Sequence, residues 1–234
     1  PGTVDMPILG YWTFDNGLGG PDPQGWTTAD RTAQIGTFFH IDIFDFIHGV
    51  IWNPLDGAQS LWCGAQPCAG AEVCDYQALP GYGNNWDQRF ESIPFITADD
   101  VQISFRMRYD VEPTYDFVYL DYQGASGGWQ TLASFTGIGN STFNYAVPSG
   151  VHDGSIKFRF RVVSDFSFSD EDGTYNSEGA AVIDNVLIQS AGSPLDNQTF
   201  EVEASEALAT ADGHWTASVR PAYGDFGGLF DGDG

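Results

Sequence analysis

Apolar and polar residues alternate with period two along much of the chain, and that alternation predicts strands. In VQISFRMRY, Val101, Ile103, Phe105, Met107 and Tyr109 face one way while Gln102, Ser104, Arg106 and Arg108 face the other. SIKFRFRVV repeats the scheme, with Ile156, Phe158, Phe160 and Val162 alternating with Lys157, Arg159 and Arg161. One side of each such strand packs and the other is wetted. YDFVYLDY, WQTLASF, STFNYAV and AAVIDNVLI supply further strands, and ILGYWTF and TFFHIDIFDF predict two near the N-terminus. Turns fall at QGASGG, TGIGN and PSGVHDG. Short strands with tight connections pair antiparallel, so the expected fold class is all-β, a two-sheet antiparallel β-sandwich.

The stretch 45–95 breaks this rhythm. It carries Trp52, Trp62 and Trp86, all three cysteines and the run LPGYGNNWDQRF, and it reads as a long loop insertion. After Ile188, QSAGSPLDNQ reads as a linker over 191–199. WTASVR (Trp215–Arg220) shares Trp, Thr and Arg with WTTADR (Trp26–Arg31) at the same spacing. Residues 200–234 are then either the start of a second, similar repeat or a tail that packs on the first domain.

Composition supports the strands: 29 Gly, 12 Pro and 15 % aromatic residues in 234 suit tight turns and pleated surfaces. Charge says more about partners. Against 32 acidic residues stand 8 basic ones, giving a net charge of −24, and Lys157 is the sole lysine. Such a potential repels nucleic acid and anionic lipid, makes cations the natural partners, and suits a salty or calcium-rich extracellular medium. No run approaches the roughly 18 apolar residues of a membrane span, so no membrane insertion is expected, and the opening PGTVDMPILG lacks a signal-peptide pattern. A mature or trimmed soluble chain is the expectation. The cysteines lie close together at Cys63, Cys68 and Cys74. Structural zinc wants four ligands, and the four histidines do not pair with this cluster, so a Cys63–Cys74 disulfide in an oxidising compartment is the simpler reading.

Two motifs bracket the main domain, FDNGLGGPDPQGW near the start and GAAVIDNV near residue 186. The pair resembles the extracellular jelly-roll modules of the MAM-like group, including those appended to bacterial secreted peptidases of the immune-inhibitor-A type and to cell-surface anchor proteins. The resemblance covers residues 8–190 and implies a jelly roll with a calcium held between its first and last strands, at Asp15 and Asp184. Animal MAM domains have spaced cysteine pairs where this chain has a cluster, so a receptor-type adhesion role does not follow.

The segment VVSDFSFSDEDGTYNSEGAAVIDNV crowds Asp165, Asp170 and Asp172 into one loop. It lacks the glycine and flanking helices of an EF-hand, and it reads either as further calcium ligands or as a solvated acidic turn. GYGNNWDQRF sets Tyr82 and Trp86 beside Asn84, Asn85, Asp87 and Arg89, an apolar platform with amides and charges that suits a pyranose ring, unless the rings plug the end of the sandwich. The basic residues of VQISFRMRY and SIKFRFRVV form a stripe for an acidic glycan if those strands are neighbours, or else pair across strands with Glu112, Asp116 or Asp121. Catalytic motifs are weak. GASGG (124–128) lies between two hairpin arms, where Ser126 reads as a turn residue, and EVEASE (201–206) sits outside any complete sheet. The expectation is a secreted, non-catalytic binding or adhesion module, with calcium as a structural ion and a carbohydrate or surface protein as partner. A filament or surface-layer subunit that self-associates through 200–234 by β-strand addition is an alternative, as is an accessory domain of a secreted hydrolase.

Overall fold

The computed structural model describes residues 38–44, 53–66, 80–204 and 206–219. They contain β1 (Phe39–Asp42), β2 (Ser60–Cys63), β3 (Asp87–Ser92), β4 (Phe95–Ile96), β5 (Val101–Val111), β6 (Phe117–Gly124), β7 (Gln130–Phe135), β8 (Gly137–Val147), β9 (Ser155–Val163), β10 (Ala181–Ser190), β11 (Ser193–Gln198) and β12 (Trp215–Val219). All pair antiparallel in two sheets. Sheet I runs β1-β2-β10-β5-β8, with β11 also on β10; sheet II runs β12-β3-β9-β6-β7, with β4 also on β9. Within these, β2-β10-β5-β8 faces β3-β9-β6-β7, the strand order of a jelly roll.

The alternation of β5 and β9 closes the sandwich. Their apolar residues point inward and meet between the sheets, with Phe105 edge-on to Phe160 at 5.0 Å. Phe90 and Phe160 are both covered by Trp215, whose ring stacks on theirs at 5.6 Å and 5.9 Å. The Trp215 indole N–H donates to Asp196 at 2.6 Å, so its polar edge is satisfied inside the core.

Several expectations change. The stretch 45–95 is not a single structureless loop, because β2 lies between β1 and β10 and β3 lies within sheet II. SLWC and FHID are buried at every position, so neither shows alternation. Residues 193–198 are not a linker but β11, folded back on β10. Over its described residues the tail joins this domain, since β12 pairs with β3 from Trp215↔Ser92 to Val219↔Gln88. The Cys63–Cys74 staple is not confirmed. Cys63 is a free, fully buried thiol in β2, with burial pushing its pKa up, while Cys68 and Cys74 lie outside the described residues. ILGYWTF, Asp15 and the opening bracket motif also lie outside them. No helix among the described residues is long and apolar enough to cross a membrane.

Trp215→Ala is expected to cost about 3–5 kcal/mol, as for other buried tryptophans, and to lower the denaturant midpoint at unchanged slope. A tail that merely began another domain would leave the midpoint where it was.

Candidate functional site

The outward side chains of sheet II form the most organised polar surface of the described residues. β9 is its middle strand, and its register sets Arg161 between Arg89 and Tyr119, Arg159 between Glu91 and Asp121, and Lys157 beside Gln123. Asp121 is the hub. Its Oδ2 accepts hydrogen bonds from Nε of Arg159 and Nε of Arg161, both at 2.8 Å, and its Oδ1 accepts one from the Thr131 hydroxyl at 2.7 Å. Glu91 lies 3.6 Å from Arg159 and 3.8 Å from Lys157. Asp87 takes Nε and Nη2 of Arg89 in a two-pronged grip at 3.0 and 2.8 Å, which separates that cation from the like charge opposite it on β9.

Aromatic rings complete the clamps. The guanidinium of Arg159 sits 4.3 Å from the Trp129 ring and Lys157 sits 5.3 Å from it, while Arg161 lies 4.3 Å from Tyr119. Phe117 stacks on Tyr119 at 5.5 Å. Burial works against the Asp121 charge, but hydrogen bonds from Arg161, Thr131 and Arg159 hold its carboxyl below the usual carboxylate range. With Asp121 only 1 % exposed, desolvation offsets much of the Coulomb gain, so the network contributes fixed geometry more than stability. Beside it, a cleft of about 330 Å³ opens between β12 and β9, lined by Glu91, Ile93, Lys157, His214, Thr216 and Ser218.

The face holds four of the eight basic residues, Arg89, Lys157, Arg159 and Arg161, against three acids, Asp87, Glu91 and Asp121. It is locally positive on a strongly negative chain. Arg106 and Arg108 do not extend it, because β5 belongs to the other sheet; they donate to the carbonyls of Leu55 and Asn53 at 2.5 and 3.1 Å. The stripe spanning both strands therefore does not form.

The acidic loop is mostly a set of turn-closing acceptors. Asp170 is buried and takes hydrogen bonds from the Tyr82 N–H (3.0 Å), the Ser177 N–H (2.7 Å) and the Ser177 hydroxyl (2.7 Å), which pins the segment before β3 to the β9–β10 loop. Gly81 is needed there, since a Cβ would come 2.2 Å from the Asp170 side chain. Asp172 accepts from the N–H groups of Phe168 and Thr174 at 2.8 and 3.0 Å. Asp165 joins Glu112 and Asp116 at the end of the sandwich, where one oxygen of each lies within 4.8 Å of the others. Asp116 is fully buried, accepts from the Tyr82 hydroxyl (2.6 Å) and the Asp165 N–H (2.9 Å), and is pushed up to about 6 by burial.

Asp184 is also fully buried, where β10 bulges at Asn185. It accepts from the Ser60 hydroxyl (2.6 Å), the Asn185 N–H (2.7 Å) and the Asp56 N–H (3.1 Å), and burial raises it to about 6. A second triad, Asp196, Asp212 and His214, clasps β11 to the start of β12, with His214 Nδ1 2.8 Å from Asp196.

The proposed sugar platform does not exist as an exposed surface. Tyr82 is 0 % and Trp86 1 % exposed, and Trp86 stacks on Phe38 at 4.3 Å, so both rings belong to the core. Asn84 donates its backbone N–H to Glu171 at 2.7 Å, and Asn85 adopts the left-handed backbone (φ 56°) at the turn into β3. Asp87 and Arg89 sit on the outward face of sheet II. Sequence reasoning missed Tyr119 and Trp129 there. The signal was available in YDFVYLDY, where Phe117, Tyr119 and Asp121 are the outward set of the strand whose other residues pack.

No family model matches the chain, and no curated protein matches it.

Two outcomes follow from these charges. Asp121→Ala leaves two guanidiniums facing each other and is expected to cost about 3 kcal/mol in denaturant unfolding, more than Asp87→Ala at a half-buried position. Asp116 and Asp184 bind protons more tightly folded than unfolded, so stability rises as pH falls through about 6. Asp196 raises the pKa of His214, whose contribution is fully present below about 6.5 and fades as pH rises through the folded value. Without divalent ions, the thermal midpoint is expected to be higher at about pH 5 than at about pH 8, and to fall only below about pH 4, where depressed carboxyls such as Asp121 protonate.

Proposed function

We propose that this chain is a non-catalytic extracellular module that binds a carbohydrate through the outward face of sheet II. The observation that carries this reading is the row of cations held between carboxylates and rings, with Trp129 and Tyr119 as its aromatic members. Sugar rings stack on aromatic faces and present hydroxyls around their edge, which need donors and acceptors at fixed positions. Side chains already locked by partners lose little freedom on binding, so this face is pre-organised for such a ligand. Its local positive balance favours a glycan that carries carboxylate or sulfate groups, the class that the rest of the surface repels.

The same reading takes calcium as a structural ion, in keeping with the resemblance to MAM-like jelly rolls. Glu112, Asp116 and Asp165 are the residues that would hold it, because their oxygens converge and all three come from loops where the chain crosses between sheets, Glu112 and Asp116 from β5–β6 and Asp165 from β9–β10. Hard oxygen donors of this kind suit calcium. Asp184 would need Asp15 or another partner from outside the described residues. Once bound, the ion would tie strand ends together and stabilise the fold by mass action.

A glycan array followed by calorimetry tests the first part. Acidic oligosaccharides are expected to bind, and Trp129→Ala to weaken them by about tenfold or more (about 1.4 kcal/mol) with the thermal midpoint unchanged. Silence on every glycan, or a Trp129→Ala protein that binds as before, would refute it. For the ion, calcium is expected to raise the thermal midpoint over chelator, and Asp165→Asn to remove that rise.

A further inference from the structure

From Tyr122 to Val151 the chain carries no Asp, Glu, Lys, Arg or His, although 17 % of all residues are charged. That run builds one flank of the sandwich. β7 and β8 are consecutive, each pairs with one strand among the described residues, and they form the edges of sheet II and sheet I. Phe135 at the end of β7 packs on Phe143 and Tyr145 of β8, at 4.7 and 6.5 Å between ring centres, so the two edges lie side by side.

β8 is an unusual edge. It pairs with β5 without interruption from Val101↔Val147 to Val111↔Gly137, eleven residues with no bulge. Proteins that stay monomeric blunt such edges by shortness, charge, proline or a bulge, since the outer row of N–H and C=O groups is a template for another strand. β8 has none of these protections. The other edges are shorter: β7 has six residues and a bulge opposite β6, β12 has five, and β1 has four. Along β8, Asn140, Thr142 and Asn144 are exposed, and Ile138 is 76 % exposed.

We infer that β8 is a self-association edge, at which two copies of this chain pair antiparallel, β8 to β8, and run sheet I continuously through both. Charge and symmetry select a second copy as the occupant. Two chains of net charge −24 repel over most of their surfaces, and the uncharged flank is where close approach is least opposed. A two-fold axis at Thr142 uses the whole strand. It sets Thr142 opposite Thr142, Asn140 opposite Asn144 and Ile138 opposite Ala146 on one face, with Ser141 opposite Phe143 on the other. These are hydroxyl, amide and apolar cross-strand pairs, and no like charges meet along the seam.

Sedimentation velocity on the full chain, from micromolar to sub-millimolar concentration at low and high salt, tests this. The wild type is expected to form a dimer that tightens with salt, because screening removes the long-range repulsion and the seam holds no ion pair. Thr142→Lys places two cations face to face at the axis, and Asn144→Lys sets a cation opposite Asn140 on each side of it, where the amide pairs are lost. Both side chains are exposed, so thermal unfolding should be unchanged while the dimer is lost. A wild type that is monomeric throughout overturns the inference, as does a dimer that weakens with salt or one that survives both substitutions. Trp129→Ala should keep the dimer, so failure of the glycan proposal and failure of this one are distinguishable.

Discussion

The contact between Phe105 of one sheet and Phe160 of the other organises this molecule. Each belongs to a long strand of strict alternation, so fixing that pair fixes which side of both sheets is dry. Trp215 then extends the aromatic layer over Phe90 and Phe160 and draws the C-terminal strand into the same core. What remains outward on β9 is a line of cations, and the charged face exists because the apolar residues between them must point in.

Charge imbalance explains how the rest is held. With 32 acids and 8 bases, most carboxylates cannot find a cation, and the buried ones take backbone N–H groups and hydroxyls as partners. Asp170, Asp172 and Asp184 each close a loop in this way. That arrangement leaves half of the cations free to gather on one sheet, where Asp121 can serve two guanidiniums at once. Loops built on carboxylate acceptors and a face built on guanidiniums are two results of the same scarcity.

The strands that were legible in the sequence are those with one wet side. β5, β6, β8, β9 and β10 alternate, although the glycines of TGIGN, which read as a turn, belong to the start of β8. β1 and β2 were obscure because both of their faces are covered, which erases the period. β11 looked like a linker because Ser193, Pro194 and Asn197 are turn-forming residues, tolerated here on a short outer strand. Site residues suffered from a different gap. Alternation says that Arg106 and Arg159 each face outward, but only the crossing of strands between sheets says that they face opposite ways. Likewise Tyr82 and Trp86 have the composition of a sugar platform, and burial alone decides that they are core.

The position of β12 has a bearing on how the chain is made. Synthesis proceeds from the N-terminus, so when β9 and β3 have left the ribosome, the rings of Phe90 and Phe160 still await the indole some fifty residues behind Phe160. The nascent jelly roll therefore keeps an open aromatic seam until almost the last described residue is translated. Closure of the aromatic layer is a late event in folding, after the inner strands of both sheets have been made.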